Sequence, residues 1–156
     1  MKTMHMYKTR FNGSRQVVLV KENTTVPVTP ISDIDTVARV LNEVFDLENQ
    51  TEEYMYCLCL DTKHRIVGVF EISHGGIDHA IFEKRAIFQK ALLSGCKSII
   101  LAHNHPSGDP NPSSEDISAT KTIEEGATLL GLTLLDHVIV GNKSYYGFRA
   151  GGLIEN

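Results

Sequence analysis

Two histidines stand two residues apart in the stretch HNHPSGDPNPSSED, which covers residues 103–116. Side chains alternate along a strand, so His103 and His105 would leave the same face with Cα atoms about 6.5 Å apart. Two imidazoles at that separation can converge on one ion at Zn–N distances of about 2.0–2.1 Å. A third ligand must come from beyond the turn, and Asp116 lies one turn into the next predicted helix.

The loop between the histidines and the acid favours a metal site. Pro106, Pro110 and Pro112 restrict the loop and lower the entropy lost when its two halves are brought together. Two histidines, one carboxylate and an open position form a catalytic rather than a structural zinc site. The simpler interpretation is that the histidines are ordinary loop residues and that Ser113 and Asp116 form a capping box. The joint spacing His-x-His-x7-Ser-x2-Asp favours the metal.

The elements that must position these residues follow from the hydrophobic pattern, which predicts a single α/β domain with a mixed twisted sheet flanked by helices. The predicted elements are a helix capped by Ser32 or Asp33 and ending near Leu47, strands in EYMYCLCLD and RIVGVFEIS, a helix in IFEKRAIFQKALLSG closed by Gly95, a strand in KSIILAHNH, a helix in SSEDISATKTIEEGATLLG, and strands in TLLDHVIVG and KSYYGFRAGG. Residues 1–30 are predicted to be an N-terminal arm or an extra edge strand ahead of a catalytic domain over residues 31–156.

The composition narrows the classes of function. A chain of 156 residues with 42% hydrophobic and 22% charged residues is typical of one globular domain. The net charge of −4 makes nucleic acid a possible but not a favoured partner. No run approaches the roughly 20 apolar residues of a membrane helix, and the N-terminal residues lack the apolar core of a secretory signal. We therefore expect no membrane association. The sequence carries no signal for an oligomeric state.

The three cysteines indicate a reducing compartment. Cys57 and Cys59 share one face of a predicted strand, where they are expected to be small buried hydrophobic residues rather than metal or redox groups. An odd number of cysteines without a secretory signal is typical of the cytoplasm.

The stretch HNHPSGDPNPSSED resembles the JAMM motif of JAB1/MPN-type metalloproteases. The wider run SIILAHNHPSGDPNPSSEDI…LLGLTLLDHVIVG resembles the RadC family within that group, and the similarity covers roughly residues 53–153. The resemblance implies a JAB1/MPN-like domain of cytidine-deaminase-like architecture. It also implies one zinc ion held by His103, His105 and Asp116, with a water as the fourth ligand. The catalytic glutamate that the family carries upstream would be Glu71, in FEISHGG.

The implied reaction is hydrolysis of an amide or isopeptide bond in a peptide or isopeptide substrate. Zinc lowers the pKa of a bound water towards ~7. Glu71 would take the proton from that water and pass it to the leaving amine. Ser113 would donate a hydrogen bond to the developing oxyanion. The simpler interpretations are that Glu71 is an exposed strand residue and that Ser113 is only a helix cap. The family name carries an association with DNA repair.

Several further residues have two alternative interpretations each. His137 and Asp136, in LLDHVIVG, would either support the metal ligands or be satisfied core residues. His74 and His79 would line a substrate groove or be exposed loop residues. Arg85 stands where the family that the chain resembles commonly has Pro-Arg-Glu, but here Lys84 and Ala86 flank it, so the family's substrate preference is not carried over. Arg85 would either bind a substrate carboxylate or only pack against the loop.

Three other functions compete with the hydrolase. An HNH endonuclease is disfavoured because its three residues lie on separate parts of the site, whereas here they are contiguous. A zinc deaminase is disfavoured because the chain lacks the P-C-x-x-C ligand pair. The main alternative is a non-catalytic zinc-binding or partner-binding module in DNA transactions. Longer members of the family that the chain resembles carry an N-terminal helix-hairpin-helix domain associated with DNA, which we do not expect within these 156 residues.

Overall fold

The computed structural model of the protein describes residues 3–27, 31, 33–75 and 82–155. The strands are β1 (Thr3–Phe11), β2 (Val17–Pro27), β3 (Tyr54–Leu60), β4 (Ile66–His74), β5 (Ser98–Asn104), β6 (Thr133–Val140) and β7 (Tyr145–Gly147). The helices are α1 (Ile34–Phe45), α2 (Lys84–Ser94) and α3 (Ser114–Leu129), with one turn of 3-10 helix at Leu47–Asn49.

Within that part of the chain the strands form one seven-stranded sheet in the order β2-β1-β4-β3-β5-β6-β7. The pairing is mixed: β3 is antiparallel to both β4 and β5, β5 is parallel to β6, and β6 is antiparallel to β7. β1 and β2 form an antiparallel hairpin that joins the sheet edge through a parallel contact between β1 and β4. The predicted α/β fold with a mixed sheet flanked by helices is confirmed.

The ends of α1 follow from its sequence. The side chain of Asp33 accepts a hydrogen bond from the backbone N–H of Thr36 at 2.7 Å and so caps the first turn. Asp46 adopts the left-handed conformation that closes the helix. Asp33 is thus a cap, as predicted, whereas Ser32, the other candidate, lies outside the described residues.

The sheet has two buried faces, because successive side chains of each strand point in opposite directions. The α2/α3 face packs against Ile87 and Ala91 of α2 and Ile123 and Ala127 of α3. The α1 face packs against a different set that includes Val37 and Leu41 of α1. Successive residues of β3 point alternately to the two faces. The α2/α3 face takes Met55, Cys57 and Cys59, and the α1 face takes Tyr56, Leu58 and Leu60.

Cys57 and Cys59 are both fully buried and form no disulfide, which confirms them as core residues. α2 lies within the predicted stretch IFEKRAIFQKALLSG, from Lys84 to Ser94. Its buried residues are Ile87 and Ala91, whereas Leu92 is 52% exposed. Arg85 is also exposed, and Ile81 lies outside the described residues. α2 carries apolar residues on more than one side, so the pattern alone does not select the side that meets the sheet.

The end of α2 and the last strand can also be compared with the sequence pattern. Gly95 adopts the left-handed conformation with φ of 66° and ends α2, as predicted. The last strand is shorter than the stretch KSYYGFRAGG suggested, because β7 covers only three residues before the chain turns. None of the helices in the described ranges has the length and apolar character needed to cross a membrane.

Candidate metal centre

The predicted ligand residues meet where β5 ends and α3 begins. The Nε2 atoms of His103 and His105 lie 3.0 Å apart. Asp116 reaches both, with Oδ1 3.3 Å from His103 Nε2 and Oδ2 3.2 Å from His105 Nε2. Among the residues that the structure describes, these three form the one group of histidine, cysteine and acidic side chains whose ligand atoms lie together.

Asp116 is held by the start of its own helix. Its backbone N–H donates to Ser113 Oγ at 3.1 Å, and its Oδ2 accepts from the backbone N–H of Ser113 at 2.8 Å. This is the capping box that the sequence offered as the simpler interpretation. The box and the cluster coexist, because it fixes a carboxylate whose oxygens also face the two histidines. The positive end of the helix dipole further favours the ionised carboxylate.

The protonation of His105 follows from its other ring nitrogen. His105 Nδ1 lies 2.8 Å from the carbonyl oxygen of Asp109. A carbonyl oxygen only accepts, so Nδ1 carries the N–H and a neutral ring leaves the Nε2 lone pair facing Asp116. The backbone N–H of His105 donates to the carbonyl of Val140 at 2.9 Å, which fixes this residue against the end of β6.

The loop after His105 docks closely on the turn between β6 and β7. The N–H of Gly108 donates to the carbonyl of His105, and the N–H of Asn142 donates to the carbonyl of Gly108, both at 2.9 Å. A Cβ at Gly141 would lie 2.5 Å from the Gly108 oxygen. Only glycine at position 141 therefore permits this approach, which keeps the Asp109 carbonyl beside His105.

The electrostatics make Asp116 the anionic member of the cluster. Burial alone would raise the pKa of Asp116, but the hydrogen bonds from His103 and His105 outweigh it and hold the pKa far below its ordinary value. Burial lowers the pKa of His103 despite the neighbouring carboxylate. Burial also acts to lower the pKa of His105, but Asp116, the Asp109 carbonyl and the charge of Glu53 together raise it.

The donor set fits zinc. Two imidazole nitrogens and a carboxylate are ligands that Zn²⁺ takes, and ligands at about 2.0–2.1 Å from a tetrahedral ion lie about 3.3 Å from one another. The two imidazole Nε2 atoms, 3.0 Å apart, are close to that edge length, and with one ligand atom from each residue all three atoms lie within 4.8 Å of one another. Lone pairs this close repel one another unless a proton or a cation lies between them, so the cluster is suited to a cation.

Glu53 is a residue beside the cluster that the sequence did not single out. In the antiparallel pairing of β3 with β5, Met55 lies opposite His103. Two residues earlier on β3 and two residues later on β5, Glu53 and His105 therefore lie side by side on the α2/α3 face. Glu53 is only 7% exposed, and its charge is one of the causes that raise the pKa of His105.

Asn104 fixes the backbone around Glu53. Its Oδ1 accepts from the N–H of Tyr54 at 2.8 Å, and its Nδ2 donates to the carbonyl of Glu52 at 3.0 Å. The carbonyl of Glu53 itself accepts from the N–H of Gly75 at 3.1 Å. The residue between the two histidines thus holds both neighbours of Glu53. The only signal for Glu53 in the sequence was an acidic residue directly before a buried strand. The pairing of β3 with β5 is what places this residue beside His105.

Glu71 lies on the other side of the sheet. It pairs with Tyr56 across β3 and β4, and Tyr56 belongs to the α1 face. Glu71 Oε1 accepts a hydrogen bond from His74 Nδ1 at 2.7 Å, and the Glu71 side chain is 39% exposed. The contacts of Glu71 therefore do not connect it to the cluster, and its role as general base stays a prediction.

The remaining candidates divide between the cluster and the surface. His137 is fully buried, and its Nε2 lies 2.8 Å from His103 Nδ1. Asp136 instead accepts from the backbone N–H groups of His137 and Arg149 at 2.8 and 3.0 Å, which makes it a structural acid. His74 ends β4 as an exposed residue, whereas His79 lies outside the described residues.

The hydroxyl of Ser113 accepts from Asp116, and the residue is exposed at the start of α3. Its predicted part in oxyanion binding stays a prediction.

Known proteins similar to this chain agree with the family that its motif resembles. Residues 31–153 match the family described as RadC-like JAB domain. A UPF0758 protein of Alkaliphilus oremlandii is 40% identical over 120 residues, which is 77% of this chain and 51% of the relative. A UPF0758 protein of Methanosarcina barkeri is 41% identical over 109 residues, covering 70% of this chain and 48% of the relative. The chain spans about half the length of the curated relatives it matches.

Proposed function

Because this chain belongs to the RadC-like JAB domain family, we propose that it is a zinc-dependent hydrolase that cleaves an amide or isopeptide bond. The observation that carries the proposal is the convergence of His103, His105 and Asp116, whose ligand atoms lie within 4.8 Å of one another. Two histidines and one carboxylate leave a fourth position for water or substrate, which is the pattern of catalytic zinc sites.

Each ligand would use a defined atom. His103 and His105 would bind through Nε2, and Asp116 through its carboxylate, while the capping box keeps that carboxylate in place. When bound, zinc would supply a Lewis acid that polarises a carbonyl oxygen and lowers the pKa of water towards ~7.

The proposal needs a carboxylate outside the ligand set, to take a proton from water and to return it to the leaving amine. We assign this task to Glu53. Its support is threefold: it shares the α2/α3 face with the cluster, it is buried, and its charge acts on His105. Glu71, which the sequence suggested, has none of these three relations, because it pairs with Tyr56 on the α1 face.

Ser113 would stabilise the oxyanion that forms when the substrate carbonyl is attacked. Its oxygen already accepts from the N–H of Asp116, so its own O–H proton can be donated to another group. It is exposed at the first turn of α3, next to the carboxylate that binds the metal. A donor at this position would act where negative charge develops.

The test compares zinc-loaded and chelated protein on a library of peptide and isopeptide substrates. We expect turnover only with zinc, and we expect Asp116→Asn to lose both zinc and turnover. Glu115→Gln is the matched control, because Glu115 is an exposed acid on the same helical turn and should leave both unchanged. A wild-type protein that holds one zinc per chain and cleaves nothing in the library would overturn the proposal and favour a non-catalytic module.

A further inference from the structure

Behind the cluster lies a chain of hydrogen bonds that joins two of the proposed ligands through the protein interior. It runs from the backbone carbonyl of Asp116 to Thr120, from Thr120 to His137, and from His137 to His103. Thr120 is 1% exposed and both histidines are fully buried, so bulk water does not contribute to these bonds.

The first bond sets the direction of the chain. Thr120 Oγ1 lies 2.6 Å from the carbonyl oxygen of Asp116, one helical turn earlier on α3. A carbonyl oxygen only accepts, so the single hydroxyl proton of Thr120 is donated there. Toward His137 Nδ1, which lies 2.7 Å away, Thr120 Oγ1 can then only accept. His137 Nδ1 therefore carries an N–H.

The second step follows from the surroundings of His137. Its ring is stacked on Phe148, with centroids 4.5 Å apart, and meets the edge of Phe82 at 5.6 Å. A fully buried imidazole between aromatic rings is strongly disfavoured as a cation. With Nδ1 protonated and the ring neutral, Nε2 of His137 is an acceptor. His103 Nδ1, 2.8 Å away, must donate to it.

We propose that His137 and Thr120 form a relay that fixes the tautomer of His103, so that its Nε2 lone pair is presented to the metal. This inference rests on the metal site of the proposed function. Metal-bound histidines commonly donate their other N–H to a carboxylate, a carbonyl or a water. Here the acceptor is a neutral imidazole, which orients His103 without adding a second buried negative charge beside Asp116.

The relay also couples elements that are distant in sequence. Thr120 and Asp116 lie on one side of α3, because residues four apart in a helix are neighbours. His137 comes from β6 and His103 from β5, whose parallel pairing places His103 opposite Ile139. The position of α3 against these two strands therefore sets both the Asp116 carboxylate and the ring orientation of His103. His137 and Thr120 are positioning residues, since neither reaches the metal itself.

The first measurement reads the tautomers directly, by long-range ¹H–¹⁵N NMR of the histidine rings in metal-free and zinc-loaded wild-type protein. We expect the Nδ1–H tautomer for His137 in both forms and for His103 in the zinc-loaded protein. An Nε2–H tautomer of His137 in the zinc-loaded protein would overturn the proposal. This readout needs neither a variant nor a substrate.

The second measurement is the zinc affinity of Thr120→Val, which keeps the shape of the side chain and removes the hydroxyl. We expect zinc to bind roughly 10- to 100-fold more weakly, the range typical for loss of such a supporting partner. Thr120→Ser restores the hydroxyl and should recover the affinity to within about threefold of wild type. Unchanged affinity in folded Thr120→Val would overturn the proposal.

Thr122→Val provides the matched control. Thr122 lies on the same helix and donates to the carbonyl of Ser118 at 3.0 Å, but it is exposed and has no histidine partner. Its zinc affinity should equal that of wild type, which separates the relay from a general loss of a helix hydroxyl. The outcome is also separable from the proposed function. Zinc binding with the expected tautomers but without turnover would support the relay while refuting the hydrolase.

Discussion

In the part of the chain that the structure describes, two histidine–glutamate pairs lie at the same end of the sheet, one on each face. On the α2/α3 face, Glu53 is 7% exposed and lies beside His105, whose side chain is 13% exposed. On the α1 face, the side chains of His74 and Glu71 are 54% and 39% exposed and form a 2.7 Å hydrogen bond. The exposed pair is joined by a short hydrogen bond, yet it is the buried pair that includes His105, a member of the cluster.

The difference shows that two pairs of the same residue types can differ in burial and in the face of the sheet on which they lie. An exposed ion pair is worth only about 0–1 kcal/mol, because water and salt screen it. The same charge acts far more strongly where water is excluded. Burial and the face of the sheet are therefore the reasons for proposing Glu53 as the general base, and a shift of one residue along β3 would have exchanged the two faces.

The largest expected effect separates the two glutamates. Glu53→Gln keeps the size of the side chain but removes its ability to carry a proton, so we expect turnover to fall by roughly 10²–10⁴-fold with zinc content unchanged. Glu71→Gln should keep turnover within about threefold of wild type, because it alters only an exposed pair. Steady-state kinetics on a substrate found in the library would check both. The reverse pattern would return the general base to Glu71, as the sequence first suggested.

The next effect separates the two histidines. Removal of a ligand in His105→Ala should weaken zinc binding at least ~100-fold, and a loss of that size removes about 2.7 kcal/mol of zinc-dependent stabilisation. His74→Ala should retain the full zinc-dependent increase in Tm, since His74 lies on the α1 face. Thermal unfolding with and without zinc measures the difference. Equal zinc responses in the two variants would contradict the ligand assignment.

Asn104→Ala tests the residue that holds Glu53 in place. The substitution removes the side chain of Asn104, which is 1% exposed, and leaves the part-buried N–H of Tyr54 and carbonyl of Glu52 without it. We expect the free energy of unfolding to fall by about 2–3 kcal/mol. Asn49→Ala is the control, because Asn49 is exposed and its change should stay within about 0.5 kcal/mol. Urea unfolding would show whether the two asparagines differ in this way.

The smallest effect concerns another exposed pair, in the turn between β3 and β4. Hydrogen bonds from Arg65 lower the pKa of Asp61 from 3.8 to about 2. Because the pKa of Asp61 is lower in the folded protein than in the unfolded chain, the pair stabilises the protein at pH values above about 4. This stabilisation is lost as the pH falls from about 4 through about 2. Asp61→Asn should therefore lower the urea midpoint slightly at pH 6 and equal wild type below pH 2. A constant difference at both pH values would rule out this pairing.

The cluster of His103, His105 and Asp116 could be predicted from the sequence because its spacing is local. His103 and His105 lie on one face of a strand or its continuation. Asp116 follows in the first turn of a helix whose N-cap, Ser113, the sequence pattern predicts. Short-range periodicity and capping need no knowledge of the remote chain. The burial of Cys57 and Cys59 on one face of a strand could be predicted for the same reason.

Glu53 and the relay could not be predicted in this way. The place of Glu53 depends on β3 pairing with β5, which joins residues about fifty positions apart. Thr120 and His137 acquire their roles only when α3 packs against β6. The buried side of α2 likewise depends on where the sheet lies. Long-range packing decides these features, and the sequence pattern of one segment does not contain it.

Two imidazoles and one carboxylate are proposed to bind a single cation. X-ray absorption at the zinc edge, on protein loaded with one equivalent of zinc, tests it most directly. We expect nitrogen and oxygen ligands at about 2.0–2.1 Å, including two imidazoles, and loss of one imidazole in His105→Ala. Sulfur ligands at about 2.3 Å, or an unchanged spectrum in His105→Ala and Asp116→Asn, would show that zinc binds elsewhere.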